Sequence, residues 1–174
     1  HAIEGPDAFT EISDDYHRLF TEQAVMMTYI RRSLEIKKAY IETDEFDRGP
    51  RNIFNYGHSF GHAIEAATNF GIPHGIGVTI GMDMANYVAF NLGVTSEEHF
   101  KRMHPLLEDN SSLYRKTCID PELLLAALAK DKKNTSTQLR LILPNFEGEI
   151  TIGLYDKSPE LEKAVQTYCN KFHS

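Results

Sequence analysis

Residues 55–92, NYGHSFGHAIEAATNFGIPHGIGVTIGMDMANYVAFNL, carry two helical patterns of different kinds joined by a turn. The first, starting near Asn55, sets His58 and His62 four residues apart, so that on a helix both project from one face, and Glu65 continues that face. NFGIPHG is the turn, because glycine and proline interrupt helices. From Gly75 to about Asn91 the residues are apolar on almost every side, which is the pattern of a central helix covered all round by protein. A helix that needs such covering decides for a mainly α fold.

Working outward, a polar-faced helix is expected over residues 9–22 and a longer one over residues 23–44. On the longer one Met27, Ile30, Leu34 and Ile41 recur at steps of three and four and mark one buried face, with Lys37 on the same stripe. DRGPRN ends that helix. Downstream, Gly93 closes the central helix, Thr95 and Glu98 have capping-box spacing, and Asp120 with Pro121 caps ELLLAALAK. The period then changes: LRLILP and GEITIG flank a turn containing Asn145 and Gly148, which predicts a short β-hairpin near residues 138–152. Ser158 and Pro159 start the last helix.

Composition bounds the function classes. A chain of 174 residues with 41% apolar and 25% charged content is the size and kind of one folded domain or a large piece of a bigger protein. A net charge of −7 argues against a broad nucleic-acid surface, which needs an excess of lysine and arginine. The most hydrophobic stretch, residues 72–94, is broken by His74, glycines and Asp83, so no membrane span is expected, and HAIEGPDAF lacks the order of a signal peptide. Cys118 and Cys169 match no metal-binding spacing, which points to free thiols in a reducing cytoplasm.

Histidines often occupy cores with one satisfied hydrogen bond, and any one of the three would be read that way alone. Three of them within residues 58–74, flanked by glycines that admit close backbone approach, favour a site instead. Imidazoles, alone or with a carboxylate, suit a zinc-like cation with an open position. Arg51 and Asn55 lie about a helical turn before His58 and offer donors suited to phosphate or carboxylate. Lys37 reads either as a snorkelling side chain or as part of that anion site, and Lys132 and Lys133 in KDKKN either as a solvated patch or as further anion ligands.

The stretch from Ser33 to Ala85, with its arginine, then Asn-x-Gly-His-Ser-x-Gly-His-Ala-x-Glu, then His-Gly, resembles the 3-dehydroquinate synthase family of sugar-phosphate cyclases, and the likeness continues through KDKKN and the hairpin. The resemblance implies a multi-helical C-terminal domain with His58 and His74 as ligands of Zn2+ (or Co2+) and His62 in the substrate pocket. Lys37, Arg51 and Asn55, with Lys132 or Lys133, would hold the substrate's carboxylate, hydroxyls and phosphate. Asp47 matches an acidic position of unassigned role. The implied reaction uses tightly bound NAD to oxidise a ring hydroxyl of a seven-carbon phosphorylated ketosugar acid, expels phosphate, reduces the ketone again and closes a carbocycle by aldol addition. The same likeness implies a homodimer, and composition adds the expectation of a cytoplasmic protein with neither nucleic acid nor membrane as partner.

Two departures from the pattern shape these expectations. The family's third metal ligand, a glutamate in an Ala-Glu-x-x-Lys-like segment, would fall before His1, as would the NAD-binding α/β domain, so the chain is expected to be inactive by itself. Where many members read His-Gly-Glu, this one reads His74-Gly75-Ile76, which opens the choice of sugar phosphate. Metal-dependent glycerol or polyol dehydrogenases, which also draw histidines from a helical domain, and a non-enzymatic helical association module are the competing readings.

Overall fold

The computed structural model describes residues 1–46 and 49–173; Asp47 lies outside them. Among the described residues there are seven α-helices and one antiparallel hairpin, so the fold is mainly α as expected. They fall into two compact units, residues 1–54 and residues 55–174. No described helix is long and apolar enough to cross a membrane.

The first unit holds α1 (Pro6–Asp15), a 3-10 turn (Tyr16–Phe20), α2 (Gln23–Thr43) and the start of a second 3-10 turn (Pro50–Asn55). The helix expected over residues 9–22 is thus two elements, and α2 keeps its expected bounds to within a residue. Polar contacts join α1 and the residues before it to α2: the Tyr29 hydroxyl donates to Asp15 Oδ2 at 2.9 Å, and Arg32 Nε donates to Glu4 Oε2 at 2.8 Å while its Nη1 pairs with Glu11. These bonds select a different face of α2 from the apolar stripe. Val25, Tyr29, Arg32, Ile36 and Tyr40 are half-buried, whereas Met27, Ile30 and Leu34 stand exposed, so the expectation of a buried stripe is corrected.

The second unit is built around α4 (His74–Asn91), whose residues from Gly77 to Ala89 are mostly buried. Against it pack α3 (His58–Ala67), α5 (Glu97–Asn110), α7 (Pro159–Phe172) and β1 (Gln138–Pro144), while α6 (Pro121–Ala129) packs on α3 and α7. Phe60, Ile64, Ile80, Met84, Val88, Met103, Leu124 and Leu161 form the core. β1 pairs with β2 (Ile150–Asp156) with Ile142 opposite Ile152, across a turn where Gly148 takes φ 80°. Asp120 Oδ1 accepts from the Glu122 and Leu123 amides and Ser158 Oγ from Leu161, as the sequence predicts for both caps. At α5 the cap is Ser96, which accepts from the His99 amide, because the Thr95 hydroxyl is taken by the Asn145 carbonyl at 2.7 Å. Both cysteines are free, Cys118 exposed and Cys169 buried, and burial pushes the Cys169 thiol up to about 12.

Candidate metal centre

Close helix packing creates the site. Gly57 and Gly61 face Gly77 and Gly81 where α3 crosses α4. A Cβ at Gly81 would overlap the Gly57 carbonyl and stand 2.7 Å from the Gly61 amide nitrogen, and one at Gly61 would meet the backbone of Val78 at 3.1 Å. Only hydrogens fit between these backbones. Gly57 also takes φ 79°, the left-handed conformation from which α3 starts.

The turn between the helices works differently from the Gly-Pro pattern in the sequence. Asn69 and Phe70, not Gly71, carry the left-handed backbone, with φ 49° and 59°. The Phe70 amide donates to the Glu65 carbonyl at 2.7 Å, closing the end of α3 in the manner of a helix C-terminal motif. Ile72, 1% exposed, then anchors the chain, and α4 begins at His74 directly after Pro73.

The result is a triangle of imidazoles. Ring centroids of His58, His62 and His74 lie 5.7, 5.5 and 5.6 Å apart, and the His62 and His74 rings are stacked. His74 Nδ1 lies 3.0 Å from Glu65 Oε1, and His58 Nδ1 lies 3.4 Å from the Tyr56 carbonyl. Tyr56 is itself fixed, its buried hydroxyl donating to Asn86 Oδ1. Burial lowers the His58 pKa, and the charges that His62 and His74 would carry push in the same direction, so His58 favours the neutral, ligating form. Donor atoms of His62, Glu65 and His74 all lie within 4.8 Å of one another. Imidazole nitrogens are ligands of zinc and its neighbours, and a carboxylate beside them serves either as a further ligand or as the hydrogen-bond partner of a ligating ring, so the residues present fit such an ion.

Each residue expected at the site has a definite place. His58, His62 and His74 come together, His62 and His74 exposed and His58 half-buried, and Asn55 is half-buried at the end of the turn three residues before His58. Lys132 and Lys133 are exposed on the loop after α6, a loop braced by Asn134, which donates to the Leu128 carbonyl and accepts from the Arg140 amide. Lys37 and Arg51 belong to the first unit. There Lys37 is exposed beside an apolar groove lined by Ile30 and Leu34, and Arg51 donates to the Glu45 carbonyl at 2.9 Å.

Sequence reasoning missed a second polar cluster in the same unit. Asp83, 3% exposed on α4, accepts from the Tyr168 hydroxyl at 2.7 Å and faces His104 Nδ1 at 2.8 Å, so three helices meet at one carboxylate. The available signal was a single aspartate inside an otherwise apolar helix, since a buried carboxylate needs partners.

Fold and site together describe a helical domain carrying a cluster of imidazoles and one carboxylate. The sequence profile described as 3-dehydroquinate synthase C-terminal matches residues 1–134, and the chain belongs to that family. The 3-dehydroquinate synthase of Dehalococcoides mccartyi is 38% identical over 125 residues, covering 72% of this chain and 35% of that protein. That of a Thermoanaerobacter species is 32% identical over 148 residues, covering 84% and 42%. The chain therefore spans about two fifths of the length of such relatives. Among solved structures, 2-epi-5-epi-valiolone synthase from Streptomyces hygroscopicus, with NAD+ and Zn2+ bound, matches with TM-score 0.75 and 22% identity over 95% of this chain and 47% of its own. A 2-deoxy-scyllo-inosose synthase complexed with carbaglucose-6-phosphate, NAD+ and Co2+ matches with TM-score 0.59 and 23% identity over 70% and 36%. At these identities the structures support the fold.

Proposed function

We propose that this chain is the metal- and substrate-binding part of a 3-dehydroquinate synthase, a lyase of the shikimate pathway. The whole enzyme would convert a seven-carbon phosphorylated ketosugar acid (DAHP) to 3-dehydroquinate with release of phosphate. The observation that carries the reading is the imidazole triangle, in which His58 and His74 each have Nδ1 occupied and so present Nε2. His58 and His74 would hold Zn2+ or Co2+, which when bound supplies Lewis-acid polarisation of the hydroxyl that is oxidised.

The remaining roles belong to the chain's own side chains. Exposed and stacked on His74, His62 can donate a hydrogen bond to a substrate oxygen or carry a proton from it. Lys37, Arg51, Asn55 and Lys132 or Lys133 would bind the carboxylate and phosphate, offsetting a multiply charged substrate and orienting it. NAD belongs to an N-terminal α/β domain, which also supplies the third metal ligand, in a cytoplasmic homodimer; the 174-residue chain alone is expected to be inert.

The test is made on the full-length enzyme supplied with the ketosugar acid phosphate. Phosphate release without net NADH is expected, with His58→Ala and His74→Ala each reducing it by several orders of magnitude. Net NADH from glycerol or another polyol would replace this reading with the dehydrogenase one. Ile76 favours a second reading, a cyclase for a sugar phosphate without a carboxylate that makes a cyclitol precursor, because the glutamate that many members carry after His-Gly is absent here. Turnover of a carboxylate-free ketose phosphate, and none of DAHP, would establish it.

A further inference from the structure

We propose that Glu65 is a positioning residue, holding the imidazole of His74 in the one tautomer and orientation that serve a metal ion. The proposal rests on the reading that His74 is a metal ligand. Glu65 lies three residues beyond His62 on α3, and its Oε1 is 3.0 Å from His74 Nδ1. The two side chains are exposed to very different degrees, 12% for Glu65 and 56% for His74, so a nearly dry carboxylate grips a ring that otherwise stands in solvent.

Its own placement is doubly constrained. The Glu65 carbonyl accepts from Phe70 at the start of the turn, and its Cγ lies over Gly77, 3.5 Å from where a Cβ would stand. A carboxylate only accepts hydrogen bonds, so in the neutral ring it is Nδ1 of His74 that carries the proton, which leaves the lone pair on Nε2. The Tyr56 carbonyl imposes the same choice on His58, at 3.4 Å. An anionic acceptor also makes Nε2 a better donor than a carbonyl does, and it fixes the ring plane. Without Glu65, His74 at the exposed tip of α4 is free to rotate and to exchange tautomers.

The experiment uses the 174-residue chain with 15N-labelled histidine, metal-free, and then titrated with Co2+ against a chelator while the visible d–d bands are followed. In the starting protein His74 is expected as the Nδ1–H tautomer. Glu65→Ala is expected to give a tautomer mixture and about 10- to 100-fold weaker Co2+ binding with the band pattern retained. Glu65→Gln, whose amide oxygen still accepts, is expected to keep the tautomer and lose less affinity, with circular dichroism confirming that each variant folds. Unchanged tautomer and affinity in Glu65→Ala would overturn the proposal alone. Unchanged Co2+ affinity in His74→Ala would overturn the parent reading and this one with it. A Glu65→Ala band pattern altered as in His74→Ala would show Glu65 to be a ligand itself and overturn the positioning role.

Discussion

His99 is 3% exposed, and a cation stands against its ring: Arg102 Nη2 lies 2.7 Å from its Nδ1. Burial, and after it the Arg102 charge, pull its pKa down to about 4. The folded state thus holds His99 neutral where the unfolded chain, near 6.5, takes up a proton. Stability from this residue is complete above pH 6.5 and is lost as pH falls toward 4, by about 3 kcal/mol from the size of the shift. Urea unfolding measured at stepped pH should show that acid limb, and His99→Gln, which cannot take up a proton, should make it shallower. An undiminished limb in the variant would assign the loss to other groups.

At the scale of elements the governing contact is α3 on α4. Replacing a glycine within a helix by alanine normally stabilises by about 0.5–1 kcal/mol. At Gly81 the added methyl would strike the backbones of Gly57 and Gly61, which cannot swing aside as a side chain can, and overpacking of this kind costs about 1–3 kcal/mol or more. The clash wins. Gly81→Ala is therefore expected to lower the thermal midpoint and to weaken Co2+ binding, because His74 at the head of α4 moves away from His58. Gly75→Ala, with nothing within 4 Å of the new methyl, should leave the midpoint unchanged or raised. Equal midpoints for the two variants would show the crossing to be looser than these distances require. Much of this was legible in the sequence. Periodicity gave the central helix, caps at Asp120 and Ser158 are local rules, and the histidines announced a site. The rest depends on partners that sequence spacing does not name. The half-buried face of α2 is chosen by Tyr29 and Arg32 bonding to α1, residues far apart in the chain, and the turn before His74 bends at Asn69 and Phe70 although Gly71 is the residue free to bend.

Over the second unit as a whole, stability depends on two sets of histidines that titrate in opposite senses. His173, like His58 and His99, is held below its ordinary pKa, chiefly by burial, so all three favour the neutral form. His104 is the exception. Burial is its largest single influence and acts downward, but the hydrogen bond and charge of Asp83, with the charge of Glu108 behind them, outweigh it and leave the pKa raised. A raised folded pKa stabilises fully below the unfolded value of 6.5, and that contribution disappears as pH climbs through the folded value. Because Asp83 on α4 also accepts from Tyr168 on α7, the charged pair fastens α4, α5 and α7 together. The expected pH profile of unfolding free energy is a bell, with an acid limb from the buried neutral histidines and a second decline above pH 6.5 from His104. Asp83→Asn, which removes the charge while leaving an acceptor for Tyr168, should lower the whole curve and abolish the decline on the alkaline side, leaving the acid limb in place. Tyr168→Phe should lower the curve by about 1.5–3 kcal/mol, the range for hydrogen bonds to charged groups, without changing its shape. Urea titrations from pH 4 to 9 distinguish the two variants, and an alkaline decline that persists in Asp83→Asn would remove Asp83 as its origin.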